Sequence, residues 1–168
     1  MSVFEIEQKY RLKDPAVVRG RLKEFGARKI GSGREENEFF DRQGQLRKRR
    51  IAMRLRRYGK KATLTVKGPR LRSKFTKRME LETEVDYAVV RSILLLSGFE
   101  VMMRYHKHRE LYQYRQTHVT IDRLAKFGSF LEIEGTCRSI SRVAADLGLE
   151  DKDRETRSYL QMIFGWKH

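Results

Sequence analysis

The sequence predicts an α+β fold: antiparallel strands closed into a barrel with a polar, charged lumen, and helices packed on an apolar exterior. Three observations carry that expectation. Most candidate strands alternate charged and apolar residues with the period of two that puts successive side chains on opposite faces. The candidate helices are few and have marked ends. Charged faces recur on so many strands that a sheet closed on itself accommodates them better than a sheet with one face in water.

Taken in chain order, a first strand is expected at about residues 3–12, followed by a helix from Asp14 to Phe25. Asp14 can cap that helix, Pro15 fits its first position, and Gly26 can adopt the left-handed conformation that ends it. Strands follow near 36–41, 50–58, 62–67 and 78–85, with Tyr58-Gly59-Lys60 and Gly68-Pro69 as turns. A helix capped by Asp86 carries Val89, Val90, Ile93, Leu94 and Leu96 and stops at Gly98. Further strands are expected near 99–103, 106–114, 117–123 and 129–135, the last two joined through Lys126-Phe127-Gly128, and then helices near 139–147 and 154–164. No repeat or linker divides the 168 residues, so one domain over 1–168 is expected.

Charged residues form 36% of the chain, yet a hydrophobic share of 39% supplies a core, which argues against disorder. The longest aliphatic run, Ile93 to Leu96, is far too short to cross a bilayer. Glu5 and Glu7 stand where a signal peptide would be apolar, and the single Cys137 cannot form an internal disulfide, so a cytoplasmic setting is expected. With 38 Lys and Arg against 22 Asp and Glu, the net charge of +16 points to anionic partners.

The carboxylates are grouped rather than scattered. Glu5, Glu7 and Lys9 fall at i, i+2 and i+4 of one strand and so share a face. Comparable faces carry Arg54 and Arg56; Thr63, Thr65 and Lys67; Arg78, Glu80, Glu82 and Glu84; Lys107 and Arg109; Thr120 and Asp122; and Glu132 and Glu134. The opposite faces carry Met53, Leu55, Leu64, Val66, Met79, Leu81, Val119, Ile121, Leu131 and Ile133. Neighbouring carboxylates on one strand repel, and three strands carry such pairs, which solubility alone does not require. Carboxylate oxygens hold Mg²⁺ or Mn²⁺, while Arg and Lys take phosphate oxygens. Opposed sets of both are what binding a polyanion through divalent cations needs, and phosphoryl transfer depends mainly on such positioning and charge neutralisation.

Glu5-Ile6-Glu7-Gln8-Lys9 resembles the N-terminal Glu-x-Glu-x-Lys strand of the CYTH superfamily, the triphosphate tunnel metalloenzymes. Supporting motifs run in order over nearly the whole chain: Phe39-Phe40-Asp41, Met53-Arg54-Leu55-Arg56, Thr65-Val66-Lys67-Gly68-Pro69, Arg78-x-Glu80-x-Glu82, Lys107-x-Arg109-x-x-Tyr112, Asp122 and Gly128-Ser129-Phe130-Leu131-Glu132-Ile133-Glu134. The ending Arg157-Ser158-Tyr159 with Gln161-Met162 is similar to the class IV adenylyl cyclase branch; another branch comprises the thiamine triphosphatases.

The resemblance implies an eight-stranded antiparallel tunnel and an enzyme using Mg²⁺ or Mn²⁺ on a triphosphate. That enzyme would cyclise ATP to cyclic AMP and pyrophosphate, or hydrolyse thiamine triphosphate or inorganic tripolyphosphate. It implies Glu5, Glu7, Glu132 and Glu134 as metal ligands, with Glu80 and Glu82 assisting, and Lys9, Arg54, Arg56, Lys67, Lys107 and Arg109, together with Arg78, on the triphosphate. Asp122 would either hold metal or orient a basic neighbour. Lys9 would assist catalysis alongside Glu5 and Glu7. The cyclase branch also suggests a homodimer.

Four features have plainer readings. His106 and His108 share a strand face without suitable metal partners and read as surface residues. Cys137 reads as a small packed residue, and Met102-Met103 with Leu94 to Leu96 as core, the favoured reading, or as a subunit contact. From Arg42 to Lys61 there are ten Lys or Arg and no Asp or Glu. Within that stretch, Arg47-Lys48-Arg49-Arg50 reads as a loop that is simply solvated, steers polyanions or contacts a nucleic-acid backbone. A non-catalytic polyphosphate- or nucleic-acid-binding module is therefore the alternative of another class.

Overall fold

Capping and alternation place the elements largely where the sequence puts them. The computed structural model describes residues 4–165. Its elements are β1 (Phe4–Leu12), α1 (Pro15–Glu24), β2 (Arg28–Asp41), α2 (Gln45–Lys48), β3 (Ala52–Tyr58), β4 (Lys61–Leu71), β5 (Thr76–Glu84) and α3 (Tyr87–Leu96). Then come β6 (Glu100–Tyr114), β7 (Thr117–Leu124), β8 (Gly128–Glu134), α4 (Cys137–Asp146), a 3₁₀ turn (Asp151–Asp153) and α5 (Tyr159–Phe164). The strands form a closed antiparallel barrel in the order β1-β5-β4-β3-β2-β6-β7-β8. Asp14 caps α1 by accepting from the Ala16 N–H at 2.8 Å, and Asp86 caps α3 by accepting from the Val89 N–H at 2.9 Å.

The chain divides into two compact units: residues 4–5, 33–72 and 77–107, and residues 6–32, 73–76 and 108–165. In the first unit, β3 pairs with β2 and β4, and β4 with β5. Phe40, Leu55 and Leu94 form its core, with Met53, Leu64, Val85, Tyr87, Val90, Phe99 and Val101 packed against them. In the second unit, β8 pairs with β1 and β7, and β7 with β6. Its larger core joins Tyr10, Leu12, Val119, Ile121, Leu131 and Ile133 to Val18 and Leu22 of α1 and to Ile140, Val143 and Ala144 of α4. Among the described residues no helix is long and apolar enough to cross a membrane.

Several local expectations are corrected. Residue 3, the expected start of β1, lies outside the described residues. The expected strand 36–41 begins at Arg28, because its polar first half is held by the ladder without an apolar face. The expected strands 99–103 and 106–114 are one strand, β6; the adjacent Met102 and Met103 only interrupt its alternation. The basic run expected as a loop is partly helical, and β3 starts two residues later than expected, after Arg50 at a φ of 57°. A helix over 154–164 is replaced by an extended segment that bridges Tyr10 through Arg154, with α5 only from Tyr159. Of the aliphatic stripe, only Leu94 is buried; Leu96 is 89% exposed. Met102, Met79 and Leu81 are exposed as well, so helices do not cover all of the apolar positions. Cys137 opens α4 and is exposed rather than packed.

Candidate active site

The first unit gathers one cluster of charge by cross-strand register, which sets side chains of adjacent strands side by side on one face. Phe39, Arg54, Thr65 and Glu82 stand in one row across β2, β3, β4 and β5, and Asn37, Arg56, Thr63 and Glu84 in the next. Lys67 and Glu80 are paired across β4 and β5. Within these rows Arg56 grips Glu82 through Nη2 at 2.8 and 3.0 Å, and Arg54 reaches Glu82 at 3.6 Å. Lys67 Nζ lies 2.9 Å from both Glu5 oxygens and 2.7 Å from Glu80 Oε2, while Arg78 Nε donates to Glu5 at 3.2 Å.

One ammonium thus sits between two carboxyl groups. Burial works to raise the Glu80 carboxyl, but its hydrogen bond with Glu5 and the charges of Lys67 and Arg54 hold it below the ordinary carboxylate range. Lys107 is buried against Glu35, Nζ to Oε1 3.4 Å, with each side chain only 1% exposed. Arg56 approaches the other Glu35 oxygen at 3.9 Å, and the Asn37 amide donates to Glu35 at 3.0 Å.

The second unit gathers another cluster. On the β1–β8 ladder Glu7 stands directly opposite Glu134, and Lys9 opposite Glu132. Lys9 Nζ is 3.4 Å from Glu132 Oε1, donates to the Arg157 carbonyl at 3.1 Å and lies 3.9 Å over the centre of the Tyr159 ring. Arg109 makes a two-pronged contact with Asp122, Nε to Oδ1 2.7 Å and Nη2 to Oδ2 2.6 Å, and touches Glu132 at 2.7 Å. The Tyr159 hydroxyl donates to Asp122 Oδ2 at 2.7 Å. Burial, reinforced by the Asp122 and Glu132 charges, pushes the Tyr159 phenol well above its ordinary range.

The expected site residues therefore fall into two sets. Glu5, Arg54, Arg56, Lys67, Arg78, Glu80, Glu82 and Lys107 stand in the first unit, and Glu7, Lys9, Arg109, Asp122, Glu132 and Glu134 in the second. Asp122, fully buried, orients Arg109. Sequence reasoning assigned no role to Glu35, Asn37 or Tyr159. Continuing the β2 alternation back from Phe39 would have put Asn37 and Glu35 on the charged face; nothing local singles out Tyr159 as a neighbour of Lys9. His106 and His108 are exposed, as a surface reading requires.

Divalent ions fit this donor set. Among the described residues no three His, Cys, Asp or Glu side chains form a ready cation cage. Mg²⁺, however, commonly takes only one or two carboxylates and completes its shell with water and substrate phosphates. The directly opposed Glu7 and Glu134 set two carboxylates side by side, the number and type of protein ligand that Mg²⁺ commonly takes. Phosphate is also suited: the buried Arg54 Nε and Thr120 Oγ1 have no hydrogen-bond partner among the described residues, and each can donate.

The chain is similar to known proteins in sequence and in fold. The family model described as "CYTH domain" matches residues 4–159. A protein of Methanocaldococcus jannaschii named "Putative adenylate cyclase MJ0240" is 28% identical over 165 residues, covering 96% of this chain and 88% of that one. A crystal structure from Vibrio parahaemolyticus, described as "a putative adenylate cyclase", is 25% identical with a TM-score of 0.87, covering 97% of this chain and 99% of the other. A Hippeastrum protein described as having "a dominant triphophatase activity" shares the fold, with a TM-score of 0.75 at 19% identity over 98% of this chain and 97% of its own.

Proposed function

The chain belongs to the CYTH domain family, matched over residues 4–159, and from that premise we propose that it is a divalent-metal-dependent enzyme acting on triphosphates, foremost a cyclase converting ATP to cyclic AMP and pyrophosphate. The observation that carries the reading is the pairing of carboxylates with cations on the charged faces, above all Lys67 between Glu5 and Glu80. The names of the Methanocaldococcus and Vibrio relatives support cyclisation over hydrolysis of thiamine triphosphate or tripolyphosphate.

In this reading Glu5, Glu7, Glu80, Glu82, Glu132 and Glu134 are the residues that hold Mg²⁺ or Mn²⁺, and Asp122 remains with Arg109. The bound ion supplies charge neutralisation to the phosphate oxygens. Lys9, Arg54, Arg56, Lys67, Arg78, Lys107 and Arg109 donate to the triphosphate. Because Asp122 holds Arg109 by two prongs and Glu82 holds Arg56, these guanidinium groups are already ordered before substrate arrives. Cyclisation requires the ribose 3′-hydroxyl in line with the α-phosphorus, so the depth at which these cations hold the chain of phosphates selects between ring closure and attack by water.

The test is a product assay with Mg²⁺ or Mn²⁺ on ATP, thiamine triphosphate and tripolyphosphate in parallel. Cyclic AMP with pyrophosphate is expected from ATP; orthophosphate as the sole product would replace cyclisation by hydrolysis. Glu5→Gln and Glu7→Gln are each expected to abolish turnover with an unchanged circular-dichroism spectrum, and undiminished activity in both would remove the reading. The Arg42 to Lys61 stretch favours polyanion binding as a second reading; it is carried only if all three substrates stay intact while phosphate polymers bind with a steep salt dependence.

A further inference from the structure

The extended segment between the 3₁₀ turn and α5 holds Lys9 at both ends. The Glu155 N–H donates to the Lys9 carbonyl at 3.0 Å, and the Lys9 ammonium donates to the Arg157 carbonyl at 3.1 Å. Internal bonds fix the segment's shape: Arg157 binds Glu155 through Nε at 2.9 Å and Nη2 at 2.7 Å, and its backbone N–H donates to Glu155 at 3.1 Å. The Ser158 hydroxyl accepts from the Gln161 N–H while the Gln161 side chain accepts from the Ser158 N–H, so the start of α5 is locked by a capping box. Tyr159 follows at once, buried, with its ring packed edge-on against Phe130 at 5.7 Å.

From that fixed start the Tyr159 ring meets the Lys9 ammonium and its hydroxyl meets Asp122. We propose that Tyr159 is the positioning residue of the second unit's cluster: its ring sets where the Lys9 ammonium stands, and its hydroxyl holds Asp122 and through it Arg109. The inference rests on the triphosphate reading, for it takes Lys9 and Arg109 to be groups that touch phosphate. A lysine carries four rotatable carbons and a point charge that many positions can satisfy. Glu132 at 3.4 Å is a loose partner by itself, and the ring face is what restricts the ammonium from the other side. The role belongs to the ring for Lys9 and to the hydroxyl for Asp122, so two substitutions separate them. Tyr159→Phe keeps the ring and drops the hydroxyl; Tyr159→Leu drops both.

The experiment uses the full chain labelled with ¹³C-lysine, with the Lys9 ε-methylene signal assigned by its loss in Lys9→Arg. A ring stacked on the ammonium shields that methylene, so an upfield signal is expected in the wild type and in Tyr159→Phe, and an ordinary lysine position in Tyr159→Leu. Rates are then measured at a temperature where circular dichroism shows all three chains folded, on whichever triphosphate the wild type consumes. Displacing a group that holds the reacting phosphate by about an ångström is expected to lower kcat of Tyr159→Leu roughly 10- to 100-fold. Phe is expected to fall between Leu and the wild type, recovering the share that the ring supplies through Lys9 and keeping the loss of the hydroxyl that holds Asp122, a split that a general loss of packing would not produce. An unshifted Lys9 signal in the wild type overturns the proposal, whatever the variants do; so does a Phe variant as slow as Leu or as fast as the wild type, or a Leu variant as fast as the wild type. A wild type inert on every triphosphate but with Lys9 upfield overturns the enzymatic reading and leaves Tyr159 a packing residue, a failure distinguishable from the others.

Discussion

Removing Glu35 should destabilise the protein, because Lys107 would lose the carboxylate it is buried against. The two side chains are each 1% exposed and 3.4 Å apart, and Glu35 also meets Arg56 at 3.9 Å and accepts from the Asn37 amide at 3.0 Å. Taking one partner from a buried ion pair costs about 3–5 kcal/mol, since the remaining charge loses its compensation without regaining water. For a chain of this size each kcal/mol lowers Tm by about 2–4 °C, so Glu35→Ala should melt roughly 6–20 °C below the wild type. The assay is guanidinium unfolding at neutral pH with thermal melts alongside, on Glu35→Ala, Lys107→Met and the double variant. The double variant should be more stable than Glu35→Ala, because the methionine fills the lysine's volume without its charge. Saturating tripolyphosphate with Mg²⁺ should raise Tm more in Glu35→Ala than in the wild type, by offering Lys107 a new counter-charge. A cost below about 1 kcal/mol, or a double variant no better than Glu35→Ala, would refute the dependence of Lys107 on Glu35.

Two further outcomes follow from groups away from the charged clusters. Glu110 accepts from Arg19 at 2.8 Å, Lys29 at 2.9 Å and the Tyr112 hydroxyl at 2.7 Å, and its carboxyl is lowered from 4.5 to about 2, where these three bonds outweigh the opposing effect of burial. A lowered carboxyl stabilises above its unfolded value and loses that contribution as pH falls, so the advantage of wild type over Glu110→Gln should be full at neutral pH and vanish from about 4.5 down to about 2. Its size should stay below about 3 kcal/mol because Arg19 and Lys29 are nearly half exposed; urea midpoints across that range that moved in parallel would contradict it. Gly148 has a φ of +63°, a conformation that strains any side chain, and a Cβ there would also displace the Arg21 guanidinium that donates to the Leu147 carbonyl. Gly148→Ala should cost roughly 1–3 kcal/mol, and an unchanged Tm would show that Arg21 moves aside freely.

What the sequence discloses and what it hides divide along a physical line. Alternation on β3, β4, β7 and β8 was legible because one face is apolar and the other charged, and the caps at Asp14 and Asp86 act within three residues of themselves. The first half of β2, from Arg28 to Arg34, has no apolar face, so its strand character comes from the barrel rather than from its own residues. Glu35 was lost with it, since a carboxylate beside another carboxylate looks solvated until the strand carries it to Lys107. The C-terminal segment hides its conformation for a different reason. Residues 154–158 can form a helix on propensity, and bonds distant in sequence keep them extended, the bridge from Arg154 to Tyr10, the Glu155 N–H to the Lys9 carbonyl and the Lys9 ammonium to the Arg157 carbonyl among them.

The same pairing that hides these residues from sequence reasoning supports the proposed chemistry. A cluster of like charges cannot be held rigid without counter-charges, because each carboxylate would repel its neighbour and each cation would seek water. In the first unit Lys67 stands between Glu5 and Glu80, Arg78 reaches Glu5 as well, and Arg54 and Arg56 share Glu82. A metal–triphosphate complex carries both signs, so on the proposed function its phosphates take the cations as its metal takes the carboxylates. The order of the side chains is then supplied in advance by their mutual pairing, and substrate binding replaces partners instead of creating the arrangement. This is why the Glu5→Gln test is informative: it leaves the volume of the side chain in place and removes the charge that both Lys67 and the metal require.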